Sequence, residues 1–505
     1  MQPTENTAEV LIVGGGTSGA ALAGILARDP HRSVTLLEAG PDYGPLDGGQ
    51  WPADLLDAGH IPESHGWGYA DRAYPAHTHP TVFGRACVIG GCSSHNGCVA
   101  LLGHRHDYDG WAAMGNPGWD WESVAPAFRR AMVAMRVRVP ADDELTPFHA
   151  AFVRGAVATG LPPSRDLNDP DEDMGVSASP VNIVDGVRWN SAFAYLDPVR
   201  AQGNLTVVPN ALTDRVLVRG NRTVGVEAII GGVRQRFVAD TIVLAAGAYG
   251  TPAILLRSGI GPVGELGQSG IAAVHHLPGV GRGLTDHPAV ELDYRPALRL
   301  HDATSAFAAN DWCPDEQALA KARSSVCAEA FDLHLYSMTT YLPGSDAYAF
   351  TVIVNCMDPH GAGRVRLTTS DPTAAPRIDH GYLSDSEGHD GAVLREGIVM
   401  AREVMAAVPW AWAEERLPGG AAVTRAVLDE YVRNTVGIYY HPACSCRMGP
   451  ETDTGAVVNP RGAVHGLDNL FLCDASIFPA LPRANTNLPA TMLAEHLAPM
   501  IGGDA

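Results

Sequence analysis

Gly14, Gly16 and Gly19, with Thr17 and Ser18 between the last two, follow directly on the apolar run Val10-Leu11-Ile12-Val13. Each glycine has its own task. Gly14 permits a tight turn, Gly16 lets backbone approach a pyrophosphate, and Gly19 lets a helix pack closely on a strand. A small-residue helix is expected from Ala20 to Ala27, with its N-terminal N–H groups facing a phosphate. A second buried strand, Val34-Thr35-Leu36-Leu37, ends in Glu38, an acid placed to accept from ribose hydroxyls. Strand, Gly-x-Gly-x-x-Gly, helix, strand and acid in that order describe a dinucleotide site. They leave open whether the dinucleotide is NAD or FAD.

A second glycine-rich stretch runs Gly84-Arg85-Ala86-Cys87-Val88-Ile89-Gly90-Gly91-Cys92-Ser93-Ser94-His95-Asn96-Gly97. Small residues throughout suit backbone that wraps a planar ligand. Three later stretches share its density of motif: Gly247 to Gly261, Gly279-Val280-Gly281-Arg282-Gly283-Leu284-Thr285-Asp286-His287-Pro288, and Tyr440-His441-Pro442 with Asn485-Thr486-Asn487-Leu488-Pro489-Ala490-Thr491-Met492. In order and spacing these segments resemble the glucose–methanol–choline (GMC) family of FAD-dependent oxidoreductases, and the resemblance extends over nearly the whole chain.

The resemblance implies FAD as cofactor and oxidation of a small-molecule alcohol to an aldehyde or ketone. It places Arg85, Gly90, Gly91, Ser94, His95, Asn96, Gly97, Val216, Asp474 and Ala475 at the cofactor, besides Gly14, Gly16, Thr17, Ser18, Gly19 and Glu38. Hydride transfer from an alcohol needs a base for the hydroxyl proton, and histidine is best suited near neutral pH. A second polar group must hold the oxygen as charge develops. By resemblance His441 is the base and Asn487 the second group, with Asn485 the competing choice. The run ending in His95 is similar to that of choline-oxidising members, where the histidine bonds to the flavin 8α-methyl carbon, so covalent attachment through His95 is expected. Gly97 departs from those members, which have Ser there. Glu316 and Glu329 are candidates for a cation-binding acid, although ordinary exposed acids are the simpler reading, and Tyr439 is placed to narrow the space above the flavin. Electrons pass to oxygen or another acceptor. Alternatives on the same fold are a non-redox lyase of the hydroxynitrile type and a light-driven decarboxylase.

Other constellations point nowhere so definite. Cys87, Cys92 and Cys98, and His441 with Cys444 and Cys446, lack the paired Cys spacing of zinc sites, so no metal is expected from them. His104-Arg105-His106 is either a solvated turn or a pyrophosphate contact.

To position these groups the resemblance implies an α/β fold: a Rossmann-like FAD-binding domain interleaved with an α+β substrate-binding domain on an antiparallel sheet. Residues 1–140, 201–287 and 436–505 are expected to form the first, and 141–200 with 288–435 the second. A strand from Asn204 to Val208 should precede a small antiparallel meander over Arg215–Arg219, Thr223–Ile230 and Arg234–Val238, with Thr241 to Ala246 returning as a buried parallel strand. Leu161 to Pro180 reads as a Pro/Asp-rich excursion, and Phe331–Tyr336 and Phe350–Val354 as strands of the second sheet.

Composition narrows the field from another side. The 505 residues carry a formal charge of −21, which argues against a nucleic-acid partner. Lys321 is the only lysine, so a P-loop is excluded and Schiff-base chemistry has a single candidate. Nine scattered cysteines fit a reduced interior. The polar N-terminus lacks the pattern of a secretory signal and no apolar run approaches a membrane span. A cytoplasmic location and no membrane partner are therefore expected, and oligomeric state is open.

Overall fold

The computed structural model describes residues 6–75, 77–342 and 347–503. The polar segment at residues 1–5, part of the N-terminus read above, lies outside them. Strand β1 (Asn6–Val13) runs parallel to β2 (Val34–Leu37) on one side and to β3 (Val233–Leu244) on the other. Leu205–Val208 extends the sheet beyond β2, and β4 (Leu470–Leu472) runs parallel to the end of β3. Val10 to Val13 and Ile242 to Leu244 are buried on both faces, which is why these strands are continuous apolar runs rather than alternating ones. Half of helix α1 (Thr17–Leu26) is Ala and Gly, so helix α2 (Asn487–Gly502) can lie close against it. Ser18 Oγ pins the two by donating to the Ala490 carbonyl at 2.8 Å.

The meander forms as Ala211–Arg219 against Arg222–Ile230, then against the start of β3. One feature differs from expectation. The third meander strand and the parallel strand are a single twelve-residue strand, β3. Its first residues, Val233 to Arg236, are largely exposed, Phe237 and Ala239 turn inward, and from Ile242 it is wholly buried as it enters the parallel sheet. The change of pattern mimics two strands.

The second sheet is antiparallel, in the order Gly175–Ala178, Glu316–Ala322, Leu333–Leu342, Ala347–Cys356, Pro288–Pro296, Trp412–Leu417. Its edge strand Gly175–Ala178 comes from within the Pro/Asp-rich excursion. One face packs under helices Pro147–Ala158 and His389–Ala406, through Phe148, Phe152, Val393 and Ile398. Leu319 and Tyr336 on the other face meet Val99 and Leu101, which follow the second glycine-rich stretch. The short strand Gly437–Ile438 pairs with Pro288–Ala289 of this sheet and so delivers His441 to the seam between the two sheets. The fold is thus mixed α/β, with a Rossmann-like half and an antiparallel half. Among the described residues no helix is long and apolar enough to cross a membrane.

Candidate active site

The first glycine turn has no room for side chains. Gly14, at φ +100°, donates its N–H to the Leu37 carbonyl at 2.8 Å, and a Cβ there would overlap the Ala245 backbone. A Cβ on Gly19 would overlap the Gly14 carbonyl. Gly16 is different: a Cβ would meet only Gly91 Cα, at 3.8 Å, so the space above it is open. Gly16 also caps α1 without any side-chain hydrogen bond, leaving the helix N-terminus to a ligand. Thr17 is the first helical residue. Glu38 accepts from the N–H groups of Gly15 at 2.7 Å and Gly40 at 2.8 Å, and burial pushes its carboxyl up to about 7. An uncapped helix end beside bare backbone, with a buried acid at the next strand end, fits the pyrophosphate and ribose of a dinucleotide.

The second glycine stretch lies directly on the first. Gly90 donates its N–H to the Gly15 carbonyl at 2.7 Å, and a Cβ on Gly91 would stand 2.6 Å from Gly16 Cα. Ser94 Oγ closes the following turn on the Ile89 carbonyl at 3.0 Å. His95 Nε2–H donates to the Ser64 carbonyl at 2.7 Å, so the ring's lone pair is on Nδ1. Burial holds His95 below the ordinary histidine range, which keeps it neutral. Asn96 accepts the Cys98 N–H with its side chain at 3.1 Å, and its carbonyl accepts from the guanidinium of Arg188. Arg188 is fully buried and also donates to the carbonyls of Asp57 at 2.6 Å and His60 at 2.7 Å. It clamps the loop from beneath. Arg85 donates to the Tyr440 carbonyl at 2.8 Å and so ties this stretch to the residue before His441. A Cβ on Gly97 would overlap the Glu316 carboxylate. Glu316 therefore fills the space into which a serine side chain would project.

His441 is buried, and its ring is held at one nitrogen. Nδ1 lies 3.0 Å from His287 Nδ1, and the two rings meet edge to face with centroids 5.2 Å apart. Its backbone N–H donates to Asp286 Oδ1 at 2.8 Å, while Tyr382 donates its hydroxyl to Asp286 Oδ2 at 2.9 Å. Behind Asp286 stand His380, whose Nε2 is 4.0 Å away, and Tyr249, whose hydroxyl is 2.7 Å from that nitrogen. Burial raises Asp286 to about 6 and lowers His287 to about 3. Burial first, then His287, Arg85 and His334, hold His441 well below the ordinary range. With Nδ1 committed, the neutral ring has Nε2 left for chemistry. Tyr439 packs against it at a centroid distance of 4.4 Å.

Asn487 is the first residue of α2, and its Oδ1 is buried without a hydrogen-bond partner, as is Oδ1 of Asn485. Asp474, at the end of β4, accepts from Gly247 N–H at 2.9 Å, Thr251 Oγ1 at 2.6 Å and Ser476 N–H at 2.8 Å. It joins the third glycine segment to the C-terminal one, and the next residue's carbonyl, that of Ala475, accepts from Cys444 N–H at 3.1 Å. Val216 lies in the meander with its N–H donated to Ser258 Oγ at 2.8 Å, so its carbonyl and side chain are what it can offer a cofactor.

Several residues acquire roles that their motifs did not announce. Asp286 and His287 stand inside a quoted motif, yet their contact with His441 crosses about 155 residues of sequence. Arg188 and Ser64 gave no signal at all. Glu316 is half-buried and hydrogen-bonded to the Tyr336 hydroxyl, unlike an ordinary exposed acid. His104 proves to be a helix cap: its Nδ1 accepts the His106 N–H at 3.1 Å, and Asp107 returns the bond by accepting the His104 N–H at 3.1 Å. Cys444 and Cys446 are buried in the core of the flavin-side sheet.

Proteins of known sequence and structure resemble the chain over nearly its whole length. Residues 8–289 and 359–494 match the N- and C-terminal sequence families described as GMC oxidoreductase. Oxygen-dependent choline dehydrogenase of Stenotrophomonas maltophilia is 33% identical, covering 99% of this chain and 96% of its own. That of Photobacterium profundum is 31% identical over 99% and 93%. Pyridoxine 4-oxidase from Mesorbium loti superposes with a TM-score of 0.86 at 26% identity, covering 98% and 99% of the two chains. A formate oxidase shares the fold with a TM-score of 0.86 at 22% identity, covering 99% of each chain. The chain belongs to the GMC oxidoreductase family and is an FAD-dependent oxidoreductase acting on alcohol donors.

Proposed function

We propose that the chain oxidises a small alcohol with His441 as the base and Asn487 as the group that steadies the substrate oxygen. Bound FAD supplies the two-electron acceptor for the hydride. His441 does the rest of the proton work: Nε2 takes the hydroxyl proton, and the Nδ1 contact with His287 holds the ring as the charge arrives. The observation that carries this reading is a buried imidazole with one nitrogen committed to His287, in surroundings that disfavour its charged form. The unpartnered Asn487 Oδ1 supports the second role only indirectly: an amide left unsatisfied is open to a ligand, and its Nδ2–H is the donor that would hold the developing oxyanion. Anaerobic mixing with a panel of alcohols tests the activity: loss of the flavin band identifies a substrate, and admitting air separates oxidase from dehydrogenase. A flavin that no alcohol bleaches, in an enzyme that cleaves a cyanohydrin, would sink this reading in favour of a lyase.

We further propose covalent attachment of FAD at His95: the Nδ1 lone pair that the Ser64 contact leaves available would bond to the flavin 8α carbon as that methyl group loses a proton, and the two electrons left on the flavin would pass on to its ordinary electron acceptor. Acid precipitation reads this out, since covalent flavin stays in the pellet.

A second reading concerns substrate charge. Two relatives are named as choline dehydrogenases, and Glu316 places a desolvated carboxyl, raised to about 7, beside the flavin loop. Both favour an alcohol bearing an amine or ammonium group. Glu316→Gln should raise KM for such a substrate several-fold while leaving a neutral alcohol's KM unchanged. Equal effects on both would remove the carboxylate from substrate recognition.

A further inference from the structure

On the helix-covered face of the second sheet, Cys356, His389 and Asp390 bring a sulfur, a ring nitrogen and a carboxylate oxygen within 4.8 Å of one another. Cys356 ends the strand Ala347–Cys356, and His389 and Asp390 open the helix His389–Ala406, so the cluster joins a strand end to a helix start. Cys356 and Asp390 have no exposed surface. His389 Nε2 is buried with no hydrogen-bond partner, and so is Asp385 Oδ1 in the preceding loop. The Asp390 carboxylate is already oriented, because the N–H groups of His360 and Gly361 donate to it at 2.8 and 3.0 Å. The His360 ring stacks on that of His389 at 3.8 Å and fixes its plane.

We propose that Cys356, His389 and Asp390 form a binding site for a divalent transition metal of the zinc type, separate from the flavin site. Thiolate, neutral imidazole and carboxylate are zinc's ligand set, and a water completes four-coordination. Zinc's bond lengths of about 2.0–2.3 Å would draw the three donors roughly an ångström closer than their outermost separation. Charge also favours the ion. The surroundings are acidic, with Asp332, Asp358 and Asp385 near Cys356 and Asp390; Arg483 pairs with Asp358 at 2.8 Å, but among the described residues no Lys or Arg is ion-paired with Asp385 or Asp390. One dication with one thiolate and one carboxylate sums to zero, which suits a buried site better than unpaired acids do. On binding, the Cys356 sulfur forms a bond to the metal and its proton passes to solvent, with no change of oxidation state. The alternative is a thiol packed against a carboxylate that only orders the loop at His360 and Gly361. Motif spacing cannot reveal either, since over thirty residues separate the sulfur from its partners.

Metal analysis of the FAD-loaded enzyme, made without an affinity tag that binds metal and dialysed after exposure to Zn²⁺, tests the proposal. Wild type should retain about one zinc per chain, and Cys356→Ser and His389→Gln less than about a tenth of that. Co²⁺ added to the zinc-free enzyme should give a near-ultraviolet thiolate charge-transfer band that Cys356→Ser abolishes. That band also separates this site from the Asp286, His287 and His441 cluster, which has no thiol among its three donors. Equal, substoichiometric zinc in all three proteins with no cobalt band would mark an adventitious ion only and overturn the proposal. Should Cys356→Ser fold poorly, the cobalt band in wild type and its loss in His389→Gln decide the matter.

Discussion

At the scale of single residues, the proposed base, the imidazole of His441, is prepared without a raised affinity for protons. Burial and neighbouring cationic or imidazole groups hold it neutral, and the contact with His287 fixes which nitrogen is free. His441→Ala should slow flavin reduction by roughly 10²–10⁴-fold in anaerobic stopped flow, while the flavin spectrum stays native. The pH profile of that step has a definite sign. A lowered folded value means the base is lost only on acidification below the ordinary histidine range, so reduction should be flat across neutrality and fall on the acid side. A midpoint above 6.5 would contradict this. The motif around His441 was legible in sequence, as was the candidacy of Asn487. The partners of His441 were not, because Asp286 and His287 reach it only after the chain has built the second sheet.

At the scale of elements, the two glycine stretches work as one surface. Gly91→Ala should abolish stable FAD retention, since its Cβ would press on Gly16 Cα at 2.6 Å and the residue stands at φ +53°. Gly264→Ala, in a helix where a Cβ meets nothing, is the matched control and should keep a full flavin load measured by absorbance. The strand–turn–helix unit was legible because each residue there answers to a local rule. The long strand β3 was not, because its burial changes halfway along and periodicity reports burial rather than connectivity. The edge strand Gly175–Ala178 escaped for another reason. Four residues among Pro and Asp carry too little pattern, and pairing with Glu316–Ala322 supplies what propensity lacks.

At the scale of the whole molecule, the chain passes repeatedly between two hydrophobic cores, one around the parallel sheet and one under the antiparallel sheet. Neither can be cut out as a continuous fragment. Binding of FAD to the folded state alone should raise the melting temperature of the apoprotein in a concentration-dependent way. Glu38 adds a pH term in that apoprotein. Its folded carboxyl titrates near 7 against about 4.3 in an unfolded chain, so its contribution to stability fades as pH rises from about 4.3 through 7. Glu38→Gln lacks that term, and its melting temperature relative to wild type should climb over the same interval. A constant difference would show that Glu38 is not held protonated.

Lys321 has one more consequence. The chain's sole lysine is 1% exposed, facing Glu172 at 3.8 Å and the Phe331 ring at 5.2 Å. The native molecule therefore shields its one side-chain amine, and acylating reagents can reach that amine only when the second sheet opens. The rate at which Lys321 becomes labelled, followed by mass spectrometry, is a built-in clock for that opening. Saturating flavin should slow the clock if it closes the seam between the two halves.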